Sequence, residues 1–305
     1  MKRSFICAAC YFNRNLRYGN STSRFLQFLV IRTRTYLKKY IYSNIDFINE
    51  IGEVEIKLKY AGKMRLVTSD YVDRWLFTGA DFEPDTVKLI QKYLSKDDNF
   101  LDIGANIGYF SLIASQIVGK RGTVYSFEPT PETISRLHKN IRLNNLRNIQ
   151  VIENAVSNQK GSVTFKIPSD KIRNSGRSSM RDIEENFFEI SVDTISIDLM
   201  MDSLKKIALI KMDIEGAEGL ALDGMKNLIK RDRPVIIMEL SDGYLKQMGY
   251  SAEKVLGFLR NQKYKVCEAS NRGKEISMED ISGKFQCDIL CIPETYRFDN
   301  LKKVV

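Results

Sequence analysis

Three short segments pair a chain that can bend sharply with an acid or amide that can hold a ligand. The first is Asp102-Ile103-Gly104-Ala105-Asn106-Ile107-Gly108, an acid followed by two glycines. Glycine tolerates the bends that bring backbone amides close to a ligand, and Asp102 offers an acceptor where the bend begins. The second is Glu128-Pro129, about twenty residues beyond Gly108, where a carboxylate can accept both hydroxyls of a ribose. The third is Glu153-Asn154-Ala155, in which Asn154 and Ala155 can hold an adenine edge. Together they describe a site for an adenosine-containing cofactor, and its lining extends to the neighbours Ala105, Tyr109 and Pro129. A dinucleotide turn would read G-x-G-x-x-G, with its second glycine admitting the pyrophosphate. Here Asn106 stands at that place, and no P-loop lysine follows. An acid ahead of such a turn suits an ammonium group, such as that of the methionyl part of S-adenosylmethionine. Methyl transfer is the chemistry expected, with dinucleotide binding as the alternative.

A fourth segment, Lys211-Met212-Asp213-Ile214-Glu215-Gly216-Ala217-Glu218, runs from an apolar strand into a helix start. Lys211 and Asp213 are two apart and so point to one side of an extended chain. Methyl transfer to a hydroxyl aligns acceptor oxygen, methyl carbon and sulfur, and the hydroxyl loses a proton. Asp213 is the first candidate for base or acceptor-orienting group and also borders the cofactor; Glu215 is the second. Lys211 joins them as the partner of Asp213, and Glu239, at the end of a later strand, is a further acid on the same rim. The other reading makes Glu215 and Glu218 complements of a helix dipole, Lys211–Asp213 a structural pair and Glu239 an ordinary strand-end acceptor. The polar stretch Asn174–Ser179 is either a loop over the acceptor or a solvent loop. The only histidine, His138, lies mid-helix away from every strand end, so no histidine base, histidine metal site or Ser-His triad is expected, and no metal.

These segments need elements to carry them. Strand-like runs at 100–103, 123–127, 149–152, 207–212 and 235–238 alternate with helical patterns at 109–118, 131–143 and 217–230. A helix at 252–261 and strands near 263–268 and 285–292 follow, with further strand-like stretches at 161–167 and 188–197. Alternation at this pitch predicts an α/β fold with a mostly parallel sheet, helices on both faces and right-handed crossovers. Ligands in such sheets bind beyond the carboxyl ends of the strands, where the four segments fall. Upstream, residues 54–68 read as a hairpin, and Pro84 opens a helix over 86–94.

The chain has 305 residues, 43% hydrophobic and 28% charged, enough to bury a sizeable core and too apolar for wholesale disorder. Its net charge of +9 sits at one end: residues 1–45 hold nine basic residues and no acid, leaving 38 basic residues against 38 acids in the rest. A neutral body argues against nucleic acid as a partner. Residues 21–42 read as a basic amphipathic helix, either docked on its own domain or lying on an anionic membrane. Residues 4–12 are too short and too cysteine-bearing for a secretory leader, and no apolar run is long enough to cross a bilayer. Cys7-x-x-Cys10 lacks a second pair at zinc spacing, and Cys267, Cys287 and Cys291 fall in apolar strands as small core residues. A reducing, cytoplasmic setting is expected, with peripheral membrane contact through residues 1–45.

The segments FLDIGANIGYFSLIAS, VYSFEPTPETISRLHKNIRLNN, VIENAVSN and LIKMDIEGAE, in that order, resemble the FkbM family of S-adenosylmethionine-dependent methyltransferases. The resemblance spans residues 76–240 and rests on four separated motifs. It implies the Rossmann-like class I methyltransferase fold, a seven-stranded sheet with an antiparallel last strand. It also implies that Asp102, Gly104, Asn106, Gly108, Glu128, Asn154 and Ala155 line the cofactor site. The family O-methylates acceptors in natural-product, polysaccharide and related pathways, so a small-molecule, glycan or lipid-linked hydroxyl is expected. An RNA methyltransferase and a non-catalytic cofactor-binding module are the competing functions. The expected organisation is a basic extension over 1–50, a hairpin and connector over 51–83, and the methyltransferase domain over 84–305.

Overall fold

The computed structural model describes residues 40, 43–78, 82–168, 187–270, 273–277, 279–281 and 285–296. The helix expected over 21–42 (Tyr40 apart), the Cys7–Cys10 pair and the stretch 174–179 lie outside them. The described residues divide into two units, the first made of residues 40, 43–58, 63–78 and 82–83. Its described part is a short helix α1 (Ile45–Asn49), the hairpin β1 (Glu53–Leu58) and β2 (Gly62–Val67), and α2 (Tyr71–Thr78). The hairpin alternates as its sequence requires: Ile56, Met64 and Leu66 turn inward, while Arg65 on the outer face pairs with Glu53 at 3.2 Å.

The second unit opens with α3 (Pro84–Tyr93), whose Val87, Ile90 and Tyr93 are buried at helical spacing. Strand β3 (Phe100–Ile103) leads through the glycine turn into α4 (Tyr109–Val118), then β4 (Val124–Phe127), α5 (Pro131–Leu143) and β5 (Ile149–Ile152). Three short strands follow, β6 (Ala155–Val156), β7 (Gly161–Pro168) and β8 (Phe187–Ile195), and then a 3₁₀ turn over Ile197–Ser203. Strand β9 (Leu209–Met212), α6 (Glu218–Asp223), α7 (Lys226–Asp232), β10 (Val235–Ser241), α8 (Asp242–Gln247), α9 (Ala252–Asn261), β11 (Tyr264–Glu268) and β12 (Gln286–Pro293) complete it.

Seven strands form one sheet in the order β11-β12-β10-β9-β3-β4-β5. Strands β5, β4, β3, β9 and β10 run parallel, and β12 enters antiparallel between β10 and β11. Strands β3, β4 and β9 are buried along their whole length, which is why they read as unbroken apolar runs. Leu101, Ile103, Tyr125, Phe127, Ile210, Met212, Ile236 and Met238 face one side of the sheet and pack with Leu228, Ile229, Leu256 and Leu259 of the helices. Burying each such side chain contributes about 1.5–3 kcal/mol, so this face anchors the strand ends. The sheet is the seven-stranded one expected, with the last strand reversed.

Two details go beyond the sequence reading. The stretches 161–167 and 188–197, read as strand-like with no partner named, stay outside the main sheet; β7 and β8 pair with each other and, through β6, make a separate three-stranded sheet. The single helix expected over 217–230 is two. Gly224 breaks it where the chain passes so close to Ser157 that a Cβ would lie 2.0 Å from that carbonyl oxygen. Asp198 then starts the second helix, its carboxylate accepting the amides of Asn227 and Leu228 at 3.0 and 2.9 Å.

Candidate active site

Parallel strands in register line up their residues in rows, and rows two apart share a face. Ser126, Asp102 and Lys211 form such a row across β4, β3 and β9. They lie on the face opposite the Leu101–Ile103 core, toward α4. Two residues further on, the same face passes beyond the ends of β4, β3 and β9. Glu128, Gly104 and Asp213 stand there, followed on β10 and β12 by Glu239 and its register partner Asp288. The site is thus a polar inner row beneath an acidic rim that is interrupted at Gly104.

The interruption is enforced. Gly104 has φ +80°, and a Cβ on it would fall 2.0 Å from the Asp213 carbonyl oxygen. Gly108 is held to glycine chiefly by its φ of +92°, since a Cβ there would meet only the end of the Leu137 side chain. Between them Asn106 takes φ +49°, a conformation asparagine tolerates better than most residues. The amides of Gly104 and Ala105 both donate to the Phe127 carbonyl, and the Asn140 side-chain amide donates to the Ile107 carbonyl at 2.9 Å. The turn is therefore held from β4 and from α5.

Glu128 is buried, at 7% exposure, and its two oxygens accept the backbone amides of Asn106 at 3.1 Å and Thr130 at 3.0 Å. Burial pushes its carboxyl up to about 7 against the pull of those donors. Asp102 is fully buried; one oxygen accepts from the Ser111 hydroxyl at 2.5 Å, and Ser111 lies 2.7 Å from the Ser126 hydroxyl. The other oxygen of Asp102 and the side-chain oxygen of Asn106 are buried without a hydrogen-bond partner among the described residues. Burial also raises the Asp102 carboxyl, and Lys211 opposes that rise.

On the β9 side, Lys211 is buried, with its ammonium 3.5 Å from an Asp213 oxygen and 5.1 Å from the centre of the Phe110 ring. The chain then turns through Glu215 at φ +54° and Gly216 at φ +107°. Glu218, nearly fully buried, accepts the amides of Ile214 at 3.0 Å and Gly216 at 3.3 Å, so it clamps this loop as well as opening α6. Burial pushes Glu218 up to about 7. Glu239 accepts the Gln286 side-chain amide at 2.8 Å; burial, and then the carboxylate of Asp213, push it up to about 8.

The structure brings Asp102, Gly104, Ala105, Asn106, Gly108, Tyr109, Glu128 and Pro129 together around one turn, and Lys211, Asp213, Glu215 and Glu239 along the adjoining strand ends. Asn154 and Ala155 follow β5, with Ala155 buried at the start of β6. His138 lies on α5, 3.6 Å from Glu153. Sequence reasoning missed Ser111, Ser126, Asn140, Gln286 and the clamp of Glu218. Only Ser126 carried a signal, being a polar residue inside the buried run Val-Tyr-Ser-Phe. Among the described residues no group of acids, histidines and cysteines is arranged to hold a metal, and no helix is long and apolar enough to cross a membrane.

Compared with known proteins, residues 102–266 match the family model of the methyltransferase FkbM domain. The chain belongs to the FkbM methyltransferase family. It is an S-adenosylmethionine-dependent methyltransferase, and the strand order above is its class I fold. This FkbM methyltransferase is 26% identical over 175 residues to the hexuronic acid methyltransferase AglP of Haloferax volcanii, covering 57% of this chain and 69% of that one. It is 27% identical over 148 residues to methyltransferase 1 of Beauveria bassiana, covering 42% of this chain and 59% of that protein. Among solved structures, the FkbM methyltransferase of Methylobacillus flagellatus is similar at 14% identity and a TM-score of 0.42, over 93% of this chain and 58% of that one.

Proposed function

We propose that this FkbM methyltransferase O-methylates a hydroxyl of a glycan, lipid-linked glycan or related polyhydroxy acceptor, with cofactor and acceptor on opposite sides of Gly104. The observation that carries the reading is the rim itself, with Glu128 on one side of the glycine and Asp213 and Glu239 on the other. S-adenosylmethionine, when bound, supplies an electrophilic methyl group on a sulfonium. The residues fit it: Glu128 keeps lone pairs for the ribose hydroxyls beyond those taken by Asn106 and Thr130. The unshared oxygen of Asp102 offers an acceptor for an ammonium. Gly104, Ala105, Asn106, Gly108, Tyr109 and Pro129 line the turn, and Asn154 and Ala155 hold the adenine edge. Asp213, half-exposed beside the turn, accepts the acceptor's hydroxyl proton, Glu239, held high by burial, backs it as a neighbouring carboxyl group, and Glu215 orients the acceptor.

A sugar acceptor is supported by the similarity to a hexuronic acid methyltransferase. The proposal divides the chain into the extension 1–50, the hairpin and connector 51–83 and the catalytic domain 84–305. Residues 1–45, with nine basic residues and no acid, contact an anionic membrane where a lipid-linked acceptor would reside. The test is incubation with methyl-labelled S-adenosylmethionine and a panel of neutral sugars, uronates and lipid-linked glycans. Label transferred to a hydroxyl in an alkali-stable ether supports the reading. Transfer only to a carboxylate, as an alkali-labile ester, or to RNA contradicts it.

A further inference from the structure

Lys211 is 4% exposed on β9, in the middle of the sheet, and a charge so placed is costly unless it is matched. It is matched from several elements. Asp102 is its register partner on β3, Asp213 lies 3.5 Å away at the strand end, and Asp288 on β12 is within its electrostatic reach. The Phe110 ring of α4 adds a cation–π face at 5.1 Å. Asp102 also accepts from Ser111, which in turn meets Ser126, and Asp102 feels Asp213, while Asp213 acts on Glu239, and Asp102 on Glu128.

We infer that Lys211 is a positioning residue, the shared counter-ion of Asp102 beneath the cofactor and Asp213 beside the acceptor, which ties together the carboxyl groups on the two sides of the glycine turn. The inference rests on the cofactor placement proposed above. A buried carboxyl such as Asp102 tends to take up a proton, and Lys211 opposes this. Without the ammonium, nothing at Lys211 offsets the burial of Asp102, whose carboxyl then rises further and answers an ammonium on the ligand less readily. Asp213 loses the partner that fixes its direction. A lysine that merely filled space would leave the pH dependence of binding unchanged.

Calorimetric titration of S-adenosylhomocysteine between about pH 5.5 and 9 tests this on the unmutated protein and on Lys211→Met, Lys211→Gln and Lys211→Arg. The neutral variants should bind at least about tenfold more weakly than the unmutated protein near pH 6, and within about threefold near pH 9; Lys211→Arg should follow the unmutated curve. A constant ratio at every pH, or an arginine variant that behaves like the methionine one, overturns the inference. Should the neutral variants fail to fold by circular dichroism, the unmutated protein decides. Its Lys211 Nζ resonance, identified by its loss in Lys211→Arg, should move with a carboxylate titration that Asp102→Asn alters. A resonance indifferent to both overturns the inference. An unmutated protein that bound no S-adenosylhomocysteine would instead overturn the cofactor placement, leaving the lysine resonance to decide the counter-ion role by itself.

Discussion

The two flanks of Gly104 share one row of one sheet yet are held by different forces. Toward β4 the chain is fixed by backbone hydrogen bonds: Gly104 and Ala105 donate to Phe127, and Glu128 is gripped by the amides of Asn106 and Thr130. Toward β9, β10 and β12, where the Asp213 amide donates to the Ile103 carbonyl and Glu218 clamps loop amides as Glu128 does, side-chain charge is added, with Lys211 against Asp213 and Glu239 held high by burial and its neighbours. Backbone geometry suits a flank proposed to meet the same cofactor at each turnover. Charge and side-chain hydrogen bonds can be rearranged by single substitutions, which suits a flank proposed to face the acceptor.

The sharpest break in this comparison is Gly104→Ala, because that one atom belongs to both flanks. Its Cβ would overlap the Asp213 carbonyl, and φ +80° would strain any side chain. Destabilisation by about 3 kcal/mol or more is expected, together with loss of S-adenosylhomocysteine binding. Denaturant melts and calorimetry check it; near-normal values for both would show that the flanks are not in contact through this residue.

Next in size is Asp213→Asn, which keeps shape and removes the basic carboxylate. Turnover of an identified acceptor should fall about 10²-fold or more, while affinity for S-adenosylhomocysteine stays within about threefold. Activity within about threefold of the unmutated enzyme would remove Asp213 from the proton transfer.

The smallest effect is on stability. Glu128 and Glu218 are pushed up to about 7 and Glu239 up to about 8, whereas the same carboxyls in the unfolded chain lose protons near 4.5. Between about pH 4.5 and 8 the folded state therefore holds more protons, and stability falls as pH rises. The melting temperature should drop by several degrees from about pH 5 to 8, less steeply in Glu239→Gln. A melting temperature that rises over this range would mean that the acidic rim is not buried as described.

Legibility in the sequence divides along the same line. Strands β3 and β5 and helices α4, α5 and α9 could be read to the residue, because each is a short apolar run or a helical stretch with a recognisable boundary: Gly108 and Gly119 around α4, Pro131 at the start of α5, the Ser251 cap before α9. Gly104 was readable because its positive φ and close approach require a glycine, and Asp102 and Glu128 because an acid within or just after a buried apolar strand stands out. On the acidic flank the residues could be named but not their arrangement. Glu218 reads like a helix-start acid and is a loop clamp; Gln286 meets Glu239 across 47 positions of sequence. The separate sheet of β6, β7 and β8 was hidden for a similar reason, since alternation marks a strand without naming its partner.

The central claim is that cofactor and acceptor occupy opposite flanks of Gly104. Side-by-side calorimetry of S-adenosylhomocysteine with the unmutated protein, Glu128→Ala and Asp213→Asn tests it most directly. The unmutated protein should bind one equivalent. Glu128→Ala should bind about 10–100-fold more weakly, as the ribose loses a charged acceptor worth about 1–3 kcal/mol, and Asp213→Asn should bind within about threefold of the unmutated protein. Equal losses in the two variants, or no loss in a folded Glu128→Ala, would contradict the division.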